Sequence, residues 1–340
     1  MKRIFILVAV ALLVTGALFA DEQILIDFGK LAADIIQNQD GNPTQNRSTL
    51  MDYGQVAGGS FTSEQKTAMK TSLAIVNWEV RLTSSSARVD NIAHSYTLEA
   101  PSKQWGTVFG VRVHFPVESW NASAMIRPPF EIPAFESQAE IDDDGNIEPS
   151  DGSDSVNGPS RFEDGFGVVK NVGTLKAVAI NAYGLNFPHG LWVYMLDSRG
   201  VEKEIFMGYL NYDGWGELTW NNPSYVQDVR SRELRLIPLY PTATPFVKFN
   251  GLRIERDGAK EGGDFIGYFK DVKIIFDKAV LDTDRDIDDE SLWNIIKDRE
   301  TAKKVWEMQR FGHNQILRYL EGQKQAPETS FTPTSTEGAE

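Results

Sequence analysis

Between residues 205 and 280 the chain alternates apolar and polar side chains in short runs cut by Gly, Pro and Asn: MGYLNYDGWGELTWNNPSYV, ELRLIPLYPTATPFVKFNGLRIERDG and GGDFIGYFKDVKIIFDKAV. A repeat of two puts every second side chain on one face, so each run can bury that face and wet the other. No helix of useful length is expected between the runs, which excludes the βαβ alternation of a parallel sheet. The expected architecture is mainly β: an antiparallel jelly-roll β-sandwich of the kind seen in galactose-binding and carbohydrate-binding modules, followed by a long C-terminal helix.

The same signal extends toward the N-terminus, where residues 23–28 read as an opening strand. In residues 72–82, Val76, Trp78, Val80 and Leu82 alternate with Asn77, Glu79 and Arg81, the pattern of a half-buried strand. In residues 107–115, Val111, Val113 and Phe115 oppose Arg112 and His114 until Pro116 ends the run. Residues 63–70 allow one short helix. Residues 176–183 and 191–196 follow as strands, and Ser198, Arg199 and Gly200 turn the second into residues 202–210. Within residues 246–256, Val247 and Phe249 hold one parity and Leu252 and Ile254 the other. A bulge or tight bend at Asn250 and Gly251 would return the later side chains inward. Val272, Ile274 and Phe276 then alternate with Lys273 and Ile275 through the last strand.

Lys2 and Arg3 precede an apolar stretch at residues 4–19, and Ala20 stands before Asp21 and Glu22. That is the pattern of a secretory leader, 1–20, cleaved after Ala20. Its apolar stretch is shorter than the ~20 residues of a membrane span. The 340 residues include no Cys, so an exported mature chain carries neither a disulfide nor a lipid on cysteine. Loss of Lys2 and Arg3 moves the net charge from −14 to −16. Such a charge repels phosphate backbones and anionic headgroups, so neither nucleic acid nor, after leader cleavage, a membrane is expected as a partner.

The sandwich is expected over residues 21–281, with an acidic, glycine-rich insertion at 137–161 read as a solvated loop. Its register of Glu140, Asp142, Asp144, Gly145 and Asp151 only loosely imitates a calcium loop, because Glu opens it and Asp closes it. Residues 282–322 read as an acidic connector and a helix. Asp282, Asp284 and Asp286 alternate there as weak cation candidates, but Ile287 stands where an EF-hand needs Gly and Trp293 where it needs Glu. From 291 to 321, Leu292, Ile296, Ala302, Val305, Trp306, Ile316 and Leu320 keep helical spacing, with Gly312 as an internal break point and Gly322 as a cap. The tail, 323–340, is rich in Pro, Thr, Ser and Glu and lacks the apolar content to fold.

His94, His114, His189 and His313 lie far apart in the sequence without HxH or HExxH spacing. No nucleophile elbow, phosphate loop or dinucleotide fingerprint occurs, so no cofactor, no dedicated metal site and no enzyme activity are expected. Asp213, Glu217, Asp257, Glu261 and Asp264 fall in turns, yet spacing alone cannot set two of them across a cleft as a glycosidase requires. The remaining candidates are aromatic. Tyr209, Tyr212, Trp215, Trp220 and Tyr225 crowd beside Asn211, Asn221 and Asn222. Flat rings next to amides suit the C–H faces and hydroxyls of a sugar, and they equally suit core packing. The interaction or glycan-contact candidates are Tyr209, Trp215, Trp220 and Tyr225, with Trp293 and Trp306 on the C-terminal helix.

The three runs quoted above, together with QILIDFGKL at residues 23–31, resemble the FlaA family, the outer-layer (sheath) proteins of spirochaete periplasmic flagella. The resemblance implies export to the periplasm and a structural layer around a core of FlaB-type flagellins, beside other sheath subunits or copies of itself. It implies effects on filament stiffness, shape and motility, and it carries no catalytic residues. The alternative left open by the residues is a periplasmic carbohydrate-binding module that recognises glycans, flagellin-linked ones included.

Overall fold

The computed structural model describes residues 21–31, 35–37, 43–45, 49–54, 57, 59–83, 86–118, 121–135, 139–141, 147–149, 161–234, 244–280 and 286–325. Residues 1–20, expected to be a leader, Asp282, Asp284, the residues beyond 325 and most of the insertion expected at 137–161 lie outside the described residues. Twelve strands concern the sandwich: β1 Asp21–Asp27, β2 Glu79–Leu82, β3 Tyr96–Ser102, β4 Gly106–Phe115, β5 Ala122–Arg127, β6 Val168–Lys170, β7 Val172–Leu185, β8 Gly190–Asp197, β9 Glu202–Tyr209, β10 Asp213–Asn221, β11 Phe246–Arg256 and β12 Gly263–Lys278. They form two six-stranded sheets. The first runs β10, β7, β12, β4, β3, with β1 also on β12; the second runs β9, β8, β11, β5, β2, with β6 also on β11. Every pairing is antiparallel. The chain crosses repeatedly between the sheets, and its last two strands fill the middle of each, which is the winding of a jelly roll.

The inward faces follow the expected parity. Val178, Ile180, Val272, Ile274 and Phe276 of the first sheet meet Val193, Leu252 and Ile254 of the second, all buried. At the centre Phe28, Trp78 and Phe109 pack with centroids 4.7 Å (Phe28 to Phe109) and 5.0 Å (Trp78 to Phe109) apart. Each such side chain contributes roughly 1.5–3 kcal/mol by leaving water. The parity change in β11 is a bulge: Tyr194 faces Gly251 and Met195 faces Phe249, leaving Asn250 unopposed. Gly251 is required there, with φ 146° and a Cβ position only 2.5 Å from the Ile126 carbonyl oxygen. A second bulge in β12 leaves Lys270 unopposed, and its ammonium pairs with Asp27 of β1.

Three local expectations are corrected. Residues 75–77 form a 3₁₀ turn, so the run at 72–82 is a strand only over β2, and Val76 is exposed. Residues 225–234, within the supposed all-strand block, form a helix. The short helices are α1 Ser63–Ala68, α2 Val89–Ala93, α3 Tyr225–Leu234 and α4 Asp289–Trp293. Helix α1 starts in a capping box, in which Thr62 and Gln65 each accept the other's backbone N–H. The third correction concerns the C-terminal helix, which does not start at 291: Asn294 turns left-handed (φ 51°) and ends α4. Glu290 then accepts from the N–H groups of Ile296 and Lys297 to start α5, Ile295–Gln325. Helix α5 runs unbroken through Gly312 and Gly322 for about 46 Å.

The face that α5 buries also differs from the expected apolar series. Ile296, Val305, Ile316 and Leu320 are half-buried, but Ala302 and Trp306 on α5 and Leu292 on α4 are exposed, whereas Glu307, Phe311 and Gln315, one turn apart, are buried. Phe311 meets Phe130 edge to face at 5.4 Å. Glu307 accepts from the N–H groups of Ala134 (3.0 Å) and Phe135 (3.4 Å) and approaches Lys248 at 3.5 Å. Lys248 lies 3.5 Å from Glu131, which Arg310 reaches at 2.8 Å. Gln315 donates to the Pro129 carbonyl, and Arg318 pairs with Glu79. The helix is thus clamped to the sandwich through matched buried charges as much as through apolar contact, a pattern that hydrophobic spacing does not register.

Removing one partner strands the others in a dry place, so Glu307→Ala should cost about 3 kcal/mol and lower the denaturation midpoint. An unchanged midpoint would show that the clamp contributes nothing. A second expectation concerns His189, which is buried, stacks on Phe115 at 5.3 Å and has no hydrogen-bond partner for Nδ1. Burial, reinforced by the positive charges of Arg256 and Lys260, pushes its pKa down from 6.5 to about 4. The unfolded chain therefore binds this proton more readily, and the associated stability, full above about pH 6.5, is lost as pH falls toward 4, by up to roughly 3 kcal/mol. Urea titrations at pH 7.0 and 4.5 should show a smaller acid loss for His189→Leu than for the native chain; equal losses would refute the assignment.

Candidate functional site: an aromatic face on the first sheet

Strand register assembles a row that the linear sequence scatters. Trp215 on β10 faces Tyr183 on β7, Tyr183 faces Tyr268 on β12, and Tyr268 faces Gly110 on β4. All lie on the side of the first sheet opposite the core, because their parity is that of Asn181, not of Ile180 and Ala182. Trp215 and Tyr183 meet edge to face at 5.4 Å, as do Tyr183 and Tyr268 at 6.0 Å. Gly110 leaves room for the Tyr268 ring, whose Cδ1 lies 3.4 Å from where a Cβ would stand. Trp105, 41% exposed, enters from the turn between β3 and β4 and meets Trp215 at 6.3 Å. Ser102 shapes that turn by accepting from the N–H groups of Gln104 and Trp105.

Polar groups line the next row of the same face. Glu217 faces Asn181, and Asn181 faces Asp271. Asp271 is only 7% exposed and accepts from Asn181 Nδ2 at 2.7 Å. Lys273, one row further, lies 3.9 Å from Glu217 and 3.6 Å from Glu22. Toward the other end of β12, Asp264 accepts from Arg112 through both oxygens (3.1 and 3.0 Å) and pairs with His114 Nδ1 at 2.9 Å. These partners, Arg112 first and then His114, hold the Asp264 carboxyl below the usual carboxylate range. The His94 ring lies 5.5 Å from that of His114, so two histidines far apart in the chain are neighbours in the fold.

The aromatic candidates divide between surfaces. Trp215 joins the row, whereas Trp220 has core parity and packs against the core with Leu218. Tyr212 fills a slot over Gly184 and Gly216 and donates its hydroxyl to the Ala182 carbonyl. Tyr225, at the start of α3, donates to Asp277 at 2.8 Å. Tyr209, 58% exposed, is on the second sheet beside Phe206, which in turn packs against Trp192. Trp293 and Trp306 stand exposed (66% and 55%) on α4 and α5, with Arg310 over the Trp306 ring. Asp286 is exposed, and no group of three or more potential metal ligands occurs among the described residues. Nor do Asp213, Glu217, Asp257, Glu261 and Asp264 share a hydrogen-bond or ion-pair partner: Asp257 accepts from Ala259, and Glu217 and Asp264 take the cations named above.

Sequence reasoning missed Trp105, Tyr183 and Tyr268. The outward parity of Tyr183 and Tyr268 is a local signal, but their adjacency depends on register between residues far apart in the chain. The two tryptophans should separate in stability measurements. Trp220→Ala should cost about 3 kcal/mol by removing core contact, and Trp215→Ala clearly less; equal losses would mean that Trp215 also serves the core.

Residues 42–285 match the FlaA family, described as flagellar filament outer layer protein. The chain is 52% identical over 340 residues to the flagellar filament outer layer protein of Treponema pallidum (strain Nichols), covering 98% of this chain and 97% of that one. It is 44% identical over 339 residues to the flagellar filament outer layer protein of Spirochaeta aurantia, covering 97% and 95%. Among solved structures, the TmCBM61 module in complex with β-1,4-galactotriose aligns with 59% of this chain and 88% of its own at 9% identity, with a TM-score of 0.26. That likeness is too slight to bear on binding. The near full-length identity decides the relationship, and the chain belongs to the FlaA family of flagellar filament outer layer proteins.

Proposed function

We propose that this protein is a structural subunit of the outer layer of a periplasmic flagellar filament, laid around a FlaB-type flagellin core and beside other sheath subunits or copies of itself. The observation that carries this reading is the 52% and 44% identity, along nearly the whole chain, to two flagellar filament outer layer proteins. The leader at residues 1–20 supports export to the periplasm, and no helix among the described residues is long and apolar enough to cross a membrane. The role is mechanical rather than catalytic. A sandwich with a 31-residue helix clamped along it supplies a stiff repeating unit, and such a unit adds to filament stiffness, helical shape and motility.

The filament-facing surface assigned in this reading is the one on α4 and α5 that carries Trp293 and Trp306. Exposed tryptophans are costly to leave in water and are common anchors of protein interfaces. With a net charge of −16 once Lys2 and Arg3 are lost with the leader, the subunit adds to a layer of its own kind only where local contacts outweigh repulsion, and salt eases that repulsion. Purified mature protein should co-sediment saturably with isolated core filaments, more so at moderate than at very low salt. The double variant Trp293→Ala, Trp306→Ala should keep the native denaturation midpoint and pellet at least about tenfold less tightly. Absence of pelleting by the folded native protein at every salt concentration would overturn the outer-layer reading, and undiminished pelleting of the double variant would overturn the assigned surface.

A further inference from the structure

The row of Trp105, Trp215, Tyr183 and Tyr268 is not used by the α4 and α5 contact surface, nor does it serve the core. Its rings are partly accessible, and Trp105 projects from a turn and meets the ring of Trp215. In the next row of the same face lies Asp271, a carboxylate 7% exposed whose hydrogen-bonded side-chain partner among the described residues is Asn181. A carboxylate so nearly buried is expensive unless its remaining lone pairs are satisfied, so it suits a ligand that brings hydroxyl donors. Glu217 and Lys273 add an acceptor and a donor on the same face, 3.9 Å apart.

We propose that this face binds a carbohydrate chain, with pyranose rings packed along the row of Trp105, Trp215, Tyr183 and Tyr268, whose successive rings stand edge to face, and hydroxyls received by Asn181, Asp271, Glu217 and Lys273. A sugar combines one apolar C–H face with a rim of hydroxyls, and the face supplies ring surfaces bordered by amide, carboxylate and ammonium groups. A nucleic acid also stacks on aromatic rings, but its phosphates meet Glu217, Asp271 and Asp264 and a mature chain of net charge −16. The apolar part is a single row rather than a broad patch, which suits an extended oligosaccharide better than a protein interface core. The occupant is a glycan displayed on the flagellar filament, and only this choice of source rests on the outer-layer reading.

The test uses the mature protein and its Trp105→Ala, Trp105→Phe and Asn181→Ala variants, each first shown to unfold cooperatively at or near the native midpoint. Each is co-sedimented with isolated core filaments before and after mild periodate oxidation, which cleaves vicinal diols and leaves the polypeptide in place, and separately with purified peptidoglycan sacculi. The expected result is filament binding weakened at least about tenfold by periodate, by Trp105→Ala and by Asn181→Ala, and largely kept by Trp105→Phe, since a flat ring remains. Filament binding indifferent to periodate and to both alanine variants overturns the glycan site while leaving the outer-layer reading intact. Binding to sacculi that depends on Trp105 and Asn181, without such binding to filaments, overturns the filament as the source. Failure of both filaments and sacculi to pellet the folded native protein overturns the site and the outer-layer reading together.

Discussion

The structure depends on keeping one face of each central strand inside the sandwich while those strands bend. Strands β11 and β12 are 11 and 16 residues long, and each has paired neighbours on both sides. A bulge lets a long paired strand bend and twist and resets which of its side chains face inward. Each carries a bulge, at Asn250 in β11 and at Lys270 in β12. The first switches β11 from Phe249 to Leu252 and Ile254 as its inward residues. The second frees Lys270 to pair with Asp27 and tie β1 to the sheet. Both bulges act on register, so they also determine which outward residues become neighbours across strands.

Tyr183 and Tyr268 face each other immediately beside the β12 bulge, since Ala182 pairs with Phe269 and Asn181 with Asp271. The aromatic row and the buried carboxylate in the row beside it thus sit on either side of the irregularity that serves the core. The clamp of α5 uses the opposite logic on the other sheet. There Lys248, before the β11 bulge, points away from the core and meets Glu307 and Glu131 under the helix. A pair of apolar faces would hold the helix at least as strongly, but matched charges specify a single placement along the groove.

Much of the sandwich was legible because period-two alternation is a local signal: β4, β7, β8, β9 and β12 fall where the apolar series placed them, and the parity slip at Asn250 and Gly251 marked a real bulge. Helix α3 was not legible, because its residues YVQDVRSREL have no apolar stripe, and it is placed by Asn222 accepting from Ser224 and by Tyr225 donating to Asp277. The buried side of α5 was misjudged for a related reason. Hydrophobic spacing selects Ile296, Val305, Ile316 and Leu320, which are half-buried, but also Ala302 and Trp306, which are exposed, whereas the most deeply buried positions are Glu307, Phe311 and Gln315. The candidate site was partly visible, in that aromatic and amide residues near 215 stood out, but Trp215 and Trp220 had to be separated by face.

The sequence by itself determined the mainly β architecture, the C-terminal helix and the family, since these rest on local alternation, on helical spacing and on words of matching residues. Only the tertiary structure decided which side chains share a surface. Trp105, Trp215, Tyr183 and Tyr268 come from four separate segments, and His94 at the end of α2 meets His114 on β4. Such neighbours are set by interstrand register and by which charges a helix must match. Both are long-range constraints with no counterpart in the spacing of residues along the chain.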